Sequence, residues 1–311
     1  MNERLYKSLY TIRRVEEEIA RVYPTDKIRS PVHLSIGQEA IAVGVCEALR
    51  ATDYVFGSYR SHAMYLAKGG DLRGMIAELF GKATGIDGGK GGSMHLVDLT
   101  GGVMGASAVV ATTIPQAVGY AYAVKVQCRD AVVACFFGDG ATEEGAYYES
   151  LNFAALKNLP VLFICENNSY AIHTHQLRRQ KEANIAERAR TFGIAVERLP
   201  DDVVEIYAKV SAAVSSMRRH AGGPVFFECL TYRWREHVGP NTDFELGYRS
   251  ADEAAPWIAN DQVKRMAELL TQAQRERIET QVEAQIRSAF AYAEESPFPE
   301  TDQLLKHVWK E

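Results

Sequence analysis

The sequence is short of most features that would place it quickly. It has five cysteines, Cys46, Cys128, Cys135, Cys165 and Cys229, an odd number with no C-x-x-C pair among them. That scatter excludes a disulfide framework and reads as free thiols in a reducing compartment. Three of the five stand in apolar, strand-like runs, where cysteine behaves as a small core residue. No run approaches the roughly 20 apolar residues that a membrane helix needs. The first residues, MNERLYKSLYTIRRVEEEIARVY, mix acidic and basic side chains and contain no apolar signal-peptide core. A cytoplasmic location is therefore expected, with no membrane contact. Positive charge is not in excess: 35 Lys and Arg against 40 Asp and Glu leave a net charge of −5, which argues against a nucleic-acid-coating surface. Internal repeats are absent. Neither common nucleotide loop is present. After Gly138-Asp139-Gly140 the third glycine of a dinucleotide fingerprint would fall at Glu143, and Gly89-Lys90 is followed by Gly91 where a P-loop needs Ser or Thr.

What is there is the composition of an ordinary globular chain, 47% apolar and 24% charged over 311 residues, which excludes wholesale disorder. Leu5, Leu9, Ile12, Val15, Ile19 and Val22 recur at three- and four-residue spacing and predict a helix over 3–23. Further helices are expected from about Gly37 to Arg50 and from Leu72 to Phe80. The stretch from Gly81 to Gly105 is rich in glycine and reads as an ordered loop that lets backbone approach a ligand closely. From Ala108 onward strands alternate with helices. Strands are predicted at Ala131–Phe137, Val161–Cys165, Ile194–Arg198 and Val225–Leu230. Helices are predicted at Pro115–Val126, Glu143–Lys157 and Asp202–Arg219. Continuous apolar runs such as AVVACFF and VLFIC are typical of strands buried on both faces. The fold class expected is α/β, a doubly wound, mostly parallel sheet flanked by helices. Residues 1–250 are expected to form this unit, and 251–311 a polar, helical C-terminal extension.

In such folds ligands bind beyond the carboxyl ends of the strands. One strand ends in Gly138-Asp139-Gly140-Ala141 and the next in Glu166-Asn167-Asn168-Ser169-Tyr170. A carboxylate between glycines, followed by a helix with free N–H groups, suits a phosphate together with a hard divalent cation. Asp and Asn oxygens, a backbone carbonyl and phosphate oxygens supply the octahedral shell that magnesium prefers. Gly-Asp-Gly alone is a common turn. The spacing adds the specificity: residues 141–166, twenty-six of them, separate it from Asn167-Asn168. GDG, twenty-six residues, then NN across one helix and one strand is the thiamine diphosphate motif. His173-Thr174-His175 lacks a third metal ligand and reads as a solvated turn. His62 and His95 remain unassigned, and Glu143 and Glu144 suit the first turn of a helix.

With HLSIGQEA (33–40), GSYRSH (57–62), GGKGGSMHL (88–96), GVMGASAVVATTIP (102–115), the segment 137–174 and TYRWREH (231–237) in the same order, the chain resembles the alpha subunits of the thiamine diphosphate-dependent first component of 2-oxo acid dehydrogenase complexes. The pyruvate, branched-chain and acetoin enzymes belong to that group. The resemblance implies that Asp139 and Asn168 ligate magnesium by side chain and Tyr170 by its carbonyl. It implies that Gly140 and Ala141 hold the diphosphate through backbone N–H groups, with Tyr59 and Arg60 reaching it as well. Ala108 and Val110 would lie against the aminopyrimidine, His237 would stand on the closing loop beside the cofactor, and His33 would line the substrate side. It further implies a beta subunit that supplies the pyrimidine-binding domain and an activating glutamate, an α2β2 heterotetramer, and a lipoyl acyltransferase as acceptor.

The chain departs from the group's pattern in two places. The common stretch GGNGIVGAGIP reads GASAVVATTIP here, so Ala108, Ala111 and Thr113 replace glycines. The closing loop, commonly YRWHGHS, reads YRWREHV, with Arg235 in place of the first histidine. These changes touch the substrate side more than the cofactor side. The expected activity is oxidative decarboxylation of a pyruvate-like 2-oxo acid, or cleavage of acetoin. A split transketolase-like or acyloin-forming enzyme is the alternative. A degenerate, non-enzymatic subunit is disfavoured by intact Asp139, Asn168 and His237.

Overall fold

The computed structural model describes residues 1–219, 222–306 and 309. The end of the expected C-terminal extension, residues 307–308 and 310–311, lies outside the described residues.

The chain opens with helix α1 (Asn2–Val22), whose Leu5, Leu9, Ile12, Val15 and Ile19 are wholly buried. Helix α2 (Glu39–Ala48) leads to strand β1 (Tyr54–Ser58) and helices α3 (His62–Ala67) and α4 (Leu72–Leu79). Asp71 caps α4 by accepting the N–H groups of Arg73 and Gly74. The glycine-rich stretch follows as ordered turns and ends in β2 (Val103–Ser107). The α/β alternation continues with α5 (Thr113–Val126), β3 (Val133–Gly138), α6 (Gly145–Leu156) and β4 (Val161–Asn167). A small hairpin, β5 (Tyr170–Ala171) and β6 (Thr174–His175), precedes α7 (Gln176–Arg179) and α8 (Ile185–Arg190). Then come β7 (Ala195–Leu199), α9 (Val203–Arg218), capped by Asp202, and β8 (Val225–Leu230). Helices α10 (Ala251–Ala259), α11 (Gln262–Glu268) and α12 (Gln272–Glu295) follow, and a 3-10 turn, Thr301–Leu305, comes after them.

The main sheet has the order β2-β1-β3-β4-β8-β7, and each neighbouring pair is parallel. Alternate residues of β3 and β4 serve two separate cores. Ala134, Phe136, Leu162 and Ile164 face α1, α2, α4, α9 and α12. Val133, Cys135, Phe137, Phe163 and Cys165 face α5, α6 and α8. The doubly wound expectation is met.

The structure corrects the element list at the sheet and at the start of α6. The sheet has six strands rather than four, because β1 (YVFGS) and β2 (VMGAS) are short and carry glycine and serine in place of an apolar run. Helix α6 starts at Gly145, Asp139–Glu143 forms a 3-10 turn and Glu144 is the extended N-cap, so neither Glu143 nor Glu144 is a first-turn helix residue. Helix α12 is polar in composition yet buries Ile278, Val282, Ile286 and Ala289 against α1 and α4, in the same core as the sheet. Among the described residues no helix is long and apolar enough to cross a membrane.

Candidate functional site

Parallel strands all aim their carboxyl ends at one edge of the sheet. The loops after β1, β2, β3, β4 and β8 converge there around a cavity of about 230 Å³. It sits where the strand order reverses, since the chain runs outward from β1 to β2 and returns across to β3. A larger, more open cleft of about 800 Å³ between α1, α4 and α12 touches none of the motif residues.

Gly138 pairs with Glu166 across β3 and β4, so Asp139 and Asn168 emerge side by side into this cavity. Gly140 must be glycine: a Cβ there would lie 2.8 Å from the Cβ of Ala171. Asp139 is 1% exposed, and its carboxylate pairs with Arg179. Burial pushes the Asp139 carboxyl up from its ordinary range, and the Arg179 guanidinium opposes that. Asn168 donates to Gln38 Oε1 at 2.9 Å and accepts the Tyr170 N–H at 3.0 Å. The Tyr170 hydroxyl turns toward α10 and donates to Glu253 at 2.8 Å. Ala141 is buried and lines the cavity.

Arg60 is also buried, and it binds only backbone and imidazole: the Leu34 carbonyl at 2.6 Å, the His237 carbonyl at 3.1 Å and His237 Nδ1 at 3.4 Å. Among the described residues it forms no ion pair. Desolvation pulls it down to about 10, so it stays charged at neutral pH. A buried, unpaired guanidinium on a cavity wall is built to meet an anion. Tyr59 lines the same wall. His33 lies behind it, its ring 4.5 Å from that of Tyr59 and 5.0 Å from that of His237, with Nδ1 buried and unpartnered. Burial, with Arg60 adding repulsion, lowers His33 to about 2 and His237 to about 3. Both imidazoles are therefore neutral.

The loop that carries His237 is braced from beneath. Asp243 is 1% exposed and pairs with both Arg233 and Arg249, while Tyr248 donates to the same carboxylate. Arg235 donates to the Pro240 carbonyl of its own loop at 3.2 Å and does not line the cavity. Val109 and Val110 stand exposed on the rim, whereas Ala108 is half-buried and outside the lining. Of the glycine replacements, Ala111 alone takes a left-handed backbone conformation, φ 65°. The histidines 173 and 175 belong to the hairpin turn and β6, and among the described residues no cluster of metal-ligating side chains forms around them.

Tyr59, Arg60, Val110, Asp139, Gly140, Ala141, Asn168, Tyr170 and His237 thus share one cavity, with His33 packed against its wall. Gln38, Glu166 and Arg179 also belong to the neighbourhood and were not singled out from the sequence. Gln38 lies within the HLSIGQEA segment, and Glu166 directly precedes Asn167-Asn168, so position was a usable signal for both. Arg179 has no such signal, because only the fold brings it to Asp139. Burial pushes Glu166 up to about 8, with Arg60 pulling the other way.

Comparison with known proteins gives the family. The family model described as dehydrogenase E1 component matches residues 7–302. The chain is 36% identical to the alpha subunit of acetoin:2,6-dichlorophenolindophenol oxidoreductase of Bacillus subtilis, over 98% of this chain and 92% of that one. It is 34% identical to the pyruvate dehydrogenase E1 component alpha subunit of Porphyra purpurea, over 98% and 92%. It is 35% identical to that of Zymomonas mobilis, over 97% and 87%.

Proposed function

The chain belongs to the dehydrogenase E1 component family, and from that premise we propose that it is the alpha subunit of a thiamine diphosphate-dependent 2-oxo acid or acetoin dehydrogenase. One observation carries the reading. The Gly-Asp-Gly turn and the Asn-Asn turn meet on adjacent parallel strands, in a cavity also lined by a buried Arg60 that forms no ion pair among the described residues.

The residues suit a magnesium diphosphate. Arg60 has no carboxylate partner, Gly140 leaves room only for bare backbone, and Asp139 and Asn168 present hard oxygen donors. In this reading Asp139, Asn168 and the Tyr170 carbonyl hold the cation. Gly140, Ala141, Tyr59 and Arg60 hold the diphosphate, and Val110 flanks the pyrimidine. When bound, thiamine diphosphate supplies the carbon nucleophile and the electron sink for the carbanion that follows. The protein's part is position and electrostatics. Arg60 donates to His237 Nδ1, so the ring proton of His237 resides on Nε2. Nε2–H is then the donor offered to a substrate oxygen, and the His33 ring limits rotation of His237 from behind.

A beta subunit is proposed to supply the pyrimidine-binding domain and the activating glutamate, in an α2β2 assembly that hands its acyl group to a lipoyl acceptor. Exposed Val109 and Val110 on the cavity rim support a surface that a partner covers.

The test is to co-purify the chain with its beta partner, then measure binding of thiamine diphosphate with magnesium by calorimetry. Saturable binding, lost in Asp139→Ala, is expected. Unchanged binding in that variant would overturn the site. A substrate screen of pyruvate, branched 2-oxo acids, acetoin and ketose phosphates then decides the reaction. Turnover confined to ketose phosphates would replace the dehydrogenase with a two-carbon transferase.

A further inference from the structure

Asp139 is buried, and its partner comes from 40 residues further along the chain. Arg179, at the end of α7, donates through Nη2 to Asp139 Oδ2 and through Nη1 to Glu143. Its Nε donates to the Thr174 carbonyl at 3.0 Å. Three anchors in three directions fix the guanidinium plane, and the side chain is only 10% exposed. A Cβ on Gly140 would lie 3.9 Å from Nη1, so the cation borders the bare backbone of the turn.

We propose that Arg179 is a positioning residue for the cation–diphosphate site: it holds Asp139 by Oδ2, so that Oδ1 is the oxygen offered to a divalent cation, and adds a fixed positive charge beside the Gly140 backbone. The inference rests on the cofactor reading above. Its physical basis is general. A carboxylate that ligates a metal works best when its other oxygen is held by a second group. A guanidinium also suits the task because it stays charged and spans two acceptors in one plane.

A plain clamp between the 139–143 turn and α7 is the rival account. Gln180 already provides such a clamp, donating to Glu143 at 2.9 Å and to Thr142 Oγ1 at 3.2 Å. The two residues therefore separate the roles: Gln180 braces the same turn without touching Asp139.

The experiment uses the full chain with its partner subunit. Manganese binding is followed by electron paramagnetic resonance, with and without thiamine diphosphate, and thermal unfolding is recorded in parallel. Arg179→Gln should raise the dissociation constant for manganese with cofactor by about 10- to 100-fold. Arg179→Lys should recover part of that loss by restoring charge without the fork. Gln180→Ala should leave the constant within about twofold. Equal constants in wild type and Arg179→Gln, or tighter binding in Arg179→Gln, would overturn the proposal. A Gln180→Ala effect as large as that of Arg179→Gln would reduce Arg179 to a clamp. No saturable binding in the wild type would remove the cofactor reading itself and the inference with it.

Discussion

Single residues carry two energetic conflicts that can be measured. Ala111 lines the cavity with φ 65°, where its Cβ crowds the backbone and glycine does not. Ala111→Gly should raise the unfolding free energy by about 1 kcal/mol, read from denaturant midpoints at unchanged slope. Asp201 is the second case. It is 7% exposed, its Oδ1 has no partner, and burial raises its carboxyl to about 8. Between about pH 4 and pH 8 the unfolded chain releases this proton while the folded chain keeps it, so stability falls as pH rises through that window. Asp201→Asn should flatten the fall, giving a larger gain in melting temperature at pH 8 than at pH 5. At this scale the motif residues were legible because chemistry demands their types at fixed offsets from strand ends. Arg179 was not, since nothing in its local sequence differs from a surface arginine.

Among the elements, legibility followed apolar continuity. Strands β3 and β4 hold the apolar runs VACFF and VLFIC, and β8 is apolar but for Glu228, so the sequence exposes all three directly. Strands β1 and β2 carry Gly57 and Gly105 at positions that pairing, rather than side-chain hydrophobicity, holds in the sheet. The His237 loop has no strand or α-helix, only the 3-10 turn Phe244–Leu246, and depends instead on ion pairs. Removing the Asp243 carboxylate leaves two buried guanidinium groups, Arg233 and Arg249, without their shared partner. Asp243→Ala should cost about 3–5 kcal/mol. Limited proteolysis should then cut within 231–249 first, where the wild type resists.

The molecule as a whole divides stability from chemistry. Its two large cores lie on the faces of the sheet, and the candidate site lies at one edge, open beside Val109 and Val110. The proposed partner closes that edge. The chain alone should therefore show essentially no turnover, and activity should rise on titration with the beta subunit to a stoichiometric plateau. Robust turnover by the chain alone would refute the shared site.

His33 and His237 have a consequence for any kinetic study. Largely desolvated, His33 more than the half-buried His237, and set against a permanent cation, neither ring takes up a proton anywhere from mild acid to alkali. This pair of imidazoles is indifferent to the buffer around it. An inflection near neutrality in the pH–rate curve of the assembled enzyme would report some other participant: the buried Glu166 of the same cavity, the cofactor, the substrate or the partner's own acid.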